Sequence, residues 1–471
     1  MSHTTSLLDT ARVTGAEPGT LGARGRFLEF CLRWAFLLLP FASAWASTIT
    51  LGPIAPVRAL AAVMLVLVLL CRDRMTTVAW SVVLVGSLWL CWGVFLARPG
   101  TGYRELLGVG VGLATMVAMT MAAKDASWLI RLCRAWLIGM IIVCLPAFFE
   151  VATGIHMPNY REGSSEYVRT RATDIASFMV NPNLFAYFLI VGMGVMIVGW
   201  RLETGRLRWV YFGFALVTPV LVLLTGSRLC LAAVAVLFIW MMLLSRPLSL
   251  VVAAVGVLGV GLIVVSGRMQ SLLKIVDTAM FNLGSLSGRS RMHVYQDALW
   301  MFVDKLGLGQ GPGQFSVRLA YAPWPTYTTI DPHNGFTEVF VGYGMLVGAL
   351  IVALALAALV RAVRRDWRSP TRRRPRPAAE SVLLQGVVAL LAVSPLLAMA
   401  NSSYLKSPVV WCHMGTIAIW CQALLAARRW RLREDPSPLV TPARGKGTGL
   451  PRRYRLARRA AADRAVVRGH E

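Results

Sequence analysis

Apolar residues run along most of this chain in long blocks, interrupted by short polar, glycine-bearing or arginine-rich stretches. A helix needs ~20 apolar residues to cross the hydrocarbon layer of a bilayer. Hydropathy on that scale predicts about twelve spans, at 27–46, 56–71, 76–97, 104–122, 128–149, 180–200, 208–225, 228–244, 247–265, 334–360, 381–400 and 408–427. The expected fold class is all-α, a polytopic integral membrane protein. Residues 1–26 are polar, and a disordered cytoplasmic N-terminus without a cleavable signal peptide is expected. Helices one to nine fill 27–265, a large loop covers 266–333, the last three helices fill 334–427, and 428–471 is a basic tail.

Composition agrees with the pattern. The chain is 56% apolar and 15% charged, against ~45–50% and ~25% in soluble globular proteins. Its eight cysteines lie in or beside apolar blocks and none forms a CxxC pair, so neither a zinc site nor a disulfide framework is expected. The formal net charge of +26 raises the question of nucleic acid. Much of it lies in the arginine-rich tract 361–377 and in the tail from Arg428, each directly after a span. That position fits a topology signal and attraction to anionic membrane lipids, and no nucleic-acid partner is expected. With the N-terminus inside, every arginine cluster falls in the cytoplasm, so both termini are expected there.

Two segments then lie outside and exceed hairpin length, 150–180 and 266–333. A loop as long as the second is usually functional. Within it, residues 290–305 carry Met292, Tyr295, Leu299 and Phe302 at spacings of three and four. They predict an amphipathic helix, lying on the membrane surface or packed on the spans. The glycine-rich stretch 307–315 follows as a turn; it lacks the Lys-Ser/Thr ending of a P-loop. No internal repeat is visible, which weakens a transporter built on inverted repeats.

The chemistry-bearing residues fall on this outside face. Arg228 follows the tight turn Gly226-Ser227 between two spans, where arginine is disfavoured by the positive-inside rule; a snorkelling interfacial arginine is the plainer reading. Arg289 and Arg291 open the loop helix, where a helix N-terminus favours anions, though a solvated face would look the same. His333, after Pro332, is expected in the first turn of the tenth span, with Thr337 on its face and Glu338 more than a turn deeper. A neutral imidazole there can accept a hydroxyl proton, and a capping histidine is the alternative. Glu338 needs a partner, with Asn334, Arg228 or the imidazole as candidates. In Asn181-Pro182-Asn183, an N-cap followed by proline is a sufficient structural account, with a substrate contact through Asn183 as the other reading. Together, two arginines and a histidine at one level suit a diphosphate lipid and a nucleophilic hydroxyl. No metal-spaced Asp/Glu/His cluster occurs outside, so a metal-independent mechanism without a cofactor is expected.

The motifs TGSR (225–228), SRMHVYQDALWMF (290–302), GLGQGPGQF (307–315) and DPHNGFTEVFVGYG (331–344), in that order, with NPNLFAYF (181–188) before them, resemble the O-antigen ligase / O-antigen polymerase (Wzy) superfamily of bacterial membrane glycosyltransferases. The resemblance covers mainly 180–350. It implies a GT-C-class-like helical membrane fold in the bacterial plasma (inner) membrane. It also implies an undecaprenyl-diphosphate-linked glycan as donor, with an acceptor glycan or lipid A core as partner. Arg228 matches the family's first diphosphate arginine, Arg291 the second with Arg289 as its rival, and His333 the histidine that activates the acceptor. Tyr295 stands where tryptophan is commoner. A ligase and a polymerase of O-antigen, lipopolysaccharide or exopolysaccharide are both compatible with these motifs. The rival class is a transporter or flippase, including the bicarbonate-associated proteins that share the domain; charges around broken helices at the membrane midplane would mark it.

Overall fold

The computed structural model describes residues 23–46, 56–72, 75–123, 125, 127–158, 174–244, 286–326, 332, 334–367, 378–401 and 403–434. Every regular element among them is helical. In chain order they are α1 (Ala23–Trp45), α2 (Pro56–Cys71), α3 (Thr77–Leu96), α4 (Thr101–Ala122), α5 (Ser127–Thr153) and a 3-10 turn at Ser177–Met179. Then come α6 (Pro182–Leu202), α7 (Leu207–Leu224), α8 (Arg228–Leu244), α9 (Leu286–Asp304), α10 (Phe315–Leu319), α11 (Gly335–Trp367), α12 (Ala378–Ala400) and α13 (Pro408–Glu434). Nine of the described helices are long and apolar enough to cross a membrane, and α2 and α8 are shorter apolar helices. Eleven of the twelve expected spans thus meet a helix, and the chain is a polytopic membrane protein. The ninth, 247–265, lies outside the described residues. The chain divides into residues 1–425 and 426–471; of the second unit, the helical backbone to Glu434 is described.

The helices are not equivalent. Within its apolar window α6 is 94% buried, against 22% for α3 and α11, so α6 is an interior helix. It packs on α5, α7, α8 and α12. Its start is capped as the sequence predicts: Asn181 Oδ1 accepts the N–H groups of Asn183 (2.9 Å) and Leu184 (3.4 Å), with Pro182 in the first turn. Asn thereby satisfies amides that a helix start leaves orphaned. Polar pairs pin α13 to the rest: Trp136 Nε1 donates to Thr416 Oγ1 (3.0 Å), and His413 Nδ1 lies 2.9 Å from the Tyr187 hydroxyl, both buried.

Contacts between helix ends sort them into two sets. At one end Arg72 donates to Glu29 Oε2 (2.9 Å) and to the Ala122 carbonyl (3.4 Å), joining the start of α1 to the ends of α2 and α4. Arg134 grips Glu203 with two bonds (3.0 and 3.1 Å), and Arg72 and Arg131 lie over the Trp128 ring. Gln422 donates to the carbonyls of Thr120 and Ala123 and accepts from Thr76, which also caps α3. The other end gathers the α3–α4 hairpin, the segment 174–181, the turn before α8, the glycine-rich turn and residues 401–407. Each pairing joins ends that the alternating topology puts on one side.

Candidate functional site

The glycine-rich turn organises this second end. Helix α11 is broken at Gly344, whose φ of 81° and ψ of −176° are not helical. A break frees backbone groups that must find partners in an apolar surrounding. Four of them do so through the neighbouring turn and Trp92. Gln310 N–H donates to the Val341 carbonyl (2.7 Å), Gly311 N–H to Gly342 (3.0 Å) and Trp92 Nε1 to Tyr343 (2.8 Å); the Met345 N–H reaches Gly307 O (2.7 Å). The strands of backbone lie so close that a Cβ on Gly344 would stand 2.4 Å from Leu308 O, and one on Gly309 2.8 Å from Gly342 O. Both glycines have positive φ, so side chains are excluded twice. The bonds described at this break are made by the protein's own backbone and the Trp92 indole.

The same turn ties the loop helix to the span. Gly307 N–H closes α9 on Phe302 O (2.9 Å), and Gln310 Nε2 donates to Met301 O (2.6 Å) and Asp304 Oδ2 (3.3 Å). α9 packs on α10 and α11. Its packed face takes in part of the stripe read from the sequence, since Tyr295 and Phe302 are half-buried against the same cluster. Val294, Asp297, Ala298 and Met301 are buried, while Met292 and Leu299 are 56% and 64% exposed. The buried set is centred about a third of a turn from that stripe, and small Ala298 allows the close approach. The remaining stripe, continued by Val303 and Leu306, is the one an interfacial helix would turn to lipid.

Asp297 is a residue that the sequence reading passed over. Its Oδ1 accepts the Trp324 N–H (3.1 Å), and His293 Nδ1 lies 2.7 Å from the Pro325 carbonyl. α9 thus holds the chain segment that leads to His333. Burial pushes the Asp297 carboxyl above the usual carboxylate range, against the smaller opposing effects of the Trp324 amide and His293.

Helix α11 starts at Gly335, not at Pro332. Asn334 is the N-cap, its Oδ1 accepting the Phe336 N–H (2.9 Å) and its carbonyl the Glu338 N–H (3.0 Å). The expectation of His333 inside the first turn is corrected by this cap: an Asn side chain that takes an orphan amide outcompetes proline as the starting signal. His333 itself lies outside the described residues, as do the side chains of Arg289 and Arg291, whose backbones are helical in α9. Glu338 finds none of its three expected partners among its described bonds. Its carboxylate accepts the Tyr404 N–H (2.7 Å) and the Leu405 N–H (2.8 Å), clamping 401–407 onto α11.

Arg228 is the first residue of α8 and is half-buried. The turn before it is built by Thr225, whose hydroxyl donates to Val222 O (2.7 Å) and accepts the Ser227 N–H (3.3 Å), with Gly226 at positive φ. The Leu224 carbonyl accepts Ile175 N–H (3.2 Å), so segment 174–181 lies beside this turn. α8 packs on α6, α7 and α12, and α12 in turn packs on α11. α12 therefore stands between the helix bearing Arg228 and the helix that His333 precedes.

These features define an all-helical polytopic membrane protein with a loop helix locked to a broken span. Residues 212–352 match the family model of the O-antigen ligase, and this region belongs to the O-antigen ligase/polymerase superfamily. The match spans Arg228, α9, the glycine-rich turn and the start of α11. It supports a ligase- or polymerase-type function in glycan biosynthesis. No curated protein matches the chain.

Proposed function

We propose that this protein transfers a glycan from an undecaprenyl-diphosphate-linked donor to an acceptor hydroxyl at the extracytoplasmic face of the bacterial plasma membrane, with both termini in the cytoplasm. The observation that carries the reading is the family match over 212–352, a stretch that contains Arg228, Arg289, Arg291 and His333. Arg228 and Arg291, with Arg289 as its rival, bind the diphosphate and stabilise the charge that grows on it as the glycosidic bond breaks. His333 takes the proton of the attacking hydroxyl, whose oxygen forms the new glycosidic bond. The products are the elongated or newly attached glycan and undecaprenyl diphosphate. Asn334 and Glu338 serve by shaping the start of α11, and Asn183 lies at the start of the central helix. No metal is required in this scheme.

The test is reconstitution of the full chain with a defined undecaprenyl-diphosphate glycan and an acceptor. Arg228→Ala, Arg291→Ala and His333→Ala should each lower transfer by about 10²–10⁴, and a chelator should leave wild-type transfer unchanged. Full transfer by both Arg291→Ala and His333→Ala would overturn the assignment. Uptake of a small anion into proteoliposomes, with no transfer, would point to the transporter.

A further inference from the structure

The clamp on Glu338 asks nothing of the side chain at position 404, because the group it uses there is a backbone amide. A tyrosine stands there nonetheless, packed against both of the larger apolar clusters. One side of its ring covers Gly335, the first residue of α11. A Cβ on Gly335 would lie 2.5 Å from Tyr404 Cγ, 2.6 Å from its Cδ1 and 2.9 Å from its Cβ. Gly335 is helical and its φ is not positive, so its own backbone conformation does not call for glycine. Glycine also weakens a helix relative to alanine. What excludes a side chain at 335 is the ring of Tyr404.

The hydroxyl of Tyr404 is tied in the other direction. Its partner is the hydroxyl of Tyr187 on α6, and the two rings meet edge-on with centroids 6.3 Å apart. The Tyr187 hydroxyl also lies 2.9 Å from His413 Nδ1 on α13. Tyr187 and His413 are fully buried, each five residues from the start of its helix, about 7 Å along the axis. A row of polar groups therefore runs from α13 through the interior helix α6 to the ring that rests on α11. Stability alone is a poor account of it. Buried polar atoms are costly unless each is paired, and His413 Nε2 has no partner among the described residues. Phenylalanine and leucine side chains would fill the same space without that orphan. Hydrogen bonds add direction: apolar surfaces can slide past one another, whereas these bonds are good at one relative height only.

We propose that Tyr404 is a positioning residue, which sets the start of α11 against the interior helix α6 while Tyr187 and His413 hold its hydroxyl. His333 and the capping Asn334 directly precede Gly335 in the chain, so a shift of Gly335 is passed to them within two residues. The consequence for catalysis rests on the transfer reading above; the contact of ring and glycine does not. A misplacement of about 1 Å at a reacting group costs up to ~10²-fold in rate, which is the scale on which this brace acts.

The experiment is a double-mutant cycle between Gly335→Ala and Tyr404→Ala in the full chain in nanodiscs, with two readouts. Hydrogen exchange of the peptide 334–341 reports the first turn of α11, and steady-state transfer of a defined undecaprenyl-diphosphate glycan reports kcat and KM per folded molecule. Each single variant should lower kcat at least about tenfold and leave the donor KM within about twofold. In the Tyr404→Ala background, Gly335→Ala should cost less than about a further twofold, because the ring that its Cβ strikes is gone. Tyr404→Phe keeps the ring and should recover most of kcat, and it should not add to Tyr187→Phe, since both break the same row. A purely structural role would lower the yield of folded protein and leave kcat per folded molecule unchanged. If Tyr404→Ala does not purify as a folded protein, Tyr404→Leu replaces it. Effects of the two substitutions that simply multiply, in exchange and in kcat, would overturn the proposal. Coupling in exchange without coupling in kcat would overturn the positioning role. Absence of transfer by wild type would remove the transfer reading alone, and the exchange cycle would then decide the placement of the ring.

Discussion

Two carboxylates, one at each end of the helix bundle, meet the same problem with opposite solutions. Glu29 is buried at the start of α1, and Arg72 answers it with a 2.9 Å ion pair, with Arg33 at 3.6 Å. Glu338, half-buried near the start of α11, is answered by two backbone amides at 2.7 and 2.8 Å. Glu105, at that same end, is held by the Tyr343 hydroxyl. Guanidinium groups at the first end are spent on structure, as Arg134 is on Glu203. At the second end neutral donors hold the carboxylates and close-packed glycine backbone holds the helices. The donors bonded to Glu105 and Glu338 are a hydroxyl and two backbone amides.

The contrast can be broken from either side. Arg72→Ala leaves Glu29 with its charge in a buried position, and removal of one partner of such a pair typically costs about 3–5 kcal/mol. Thermal unfolding of the purified protein should show that loss, and Arg72→Ala with Glu29→Gln should recover part of it. Transfer per folded molecule should stay within about twofold of wild type. Glu338→Ala removes the acceptor of two loop amides, at about 2–4 kcal/mol, and here activity should fall further than stability. Glu338→Gln keeps one acceptor oxygen and should restore part of both. If Glu338→Ala left transfer per folded molecule intact, the clamp on 401–407 would have no bearing on the site.

The spans were legible because membrane burial writes itself as unbroken apolar blocks, and eleven of the twelve expected helices are present. The cap at Asn181 was legible for a local reason, since Asn followed by Pro satisfies the helix start without help from elsewhere. The role of Glu338 was not. Its partners, Tyr404 and Leu405, lie more than sixty residues away and contribute backbone, which no side-chain pattern can announce. The break at Gly344 was hidden because its donors come from the glycine-rich turn and from Trp92. The stripe of α9 is divided, Tyr295 and Phe302 packed and Met292 and Leu299 exposed, because periodicity gives the angle between apolar positions and not which of them meets a neighbour. Arg228 was read from the sequence as the residue after a tight turn, and it is found there; the side chains of Arg289 and Arg291, and His333, lie outside the described residues.

The smallest expected effect concerns Asp297, the carboxyl that couples α9 to the segment before His333. Its oxygen accepts the Trp324 N–H, yet burial dominates and raises its pKa in the folded state. A raised carboxyl pKa means that folding disfavours the ionised form. The contribution of this contact is therefore whole below the unfolded carboxylate value, ~3.9, and is lost as pH rises through the folded one. Asp297→Asn keeps an acceptor oxygen for the Trp324 amide and cannot ionise. At pH 4 the variant should lie within about 1 kcal/mol of wild type, and above that the balance should shift steadily in its favour until the folded carboxyl has fully ionised. Hydrogen exchange of the peptide containing Trp324, corrected for the intrinsic pH dependence, measures the opening of this contact directly. Wild type should lose protection with rising pH while Asp297→Asn stays flat. Parallel profiles for the two proteins would show that Asp297 ionises freely, and that the segment before His333 is held by the His293 contact with Pro325 instead.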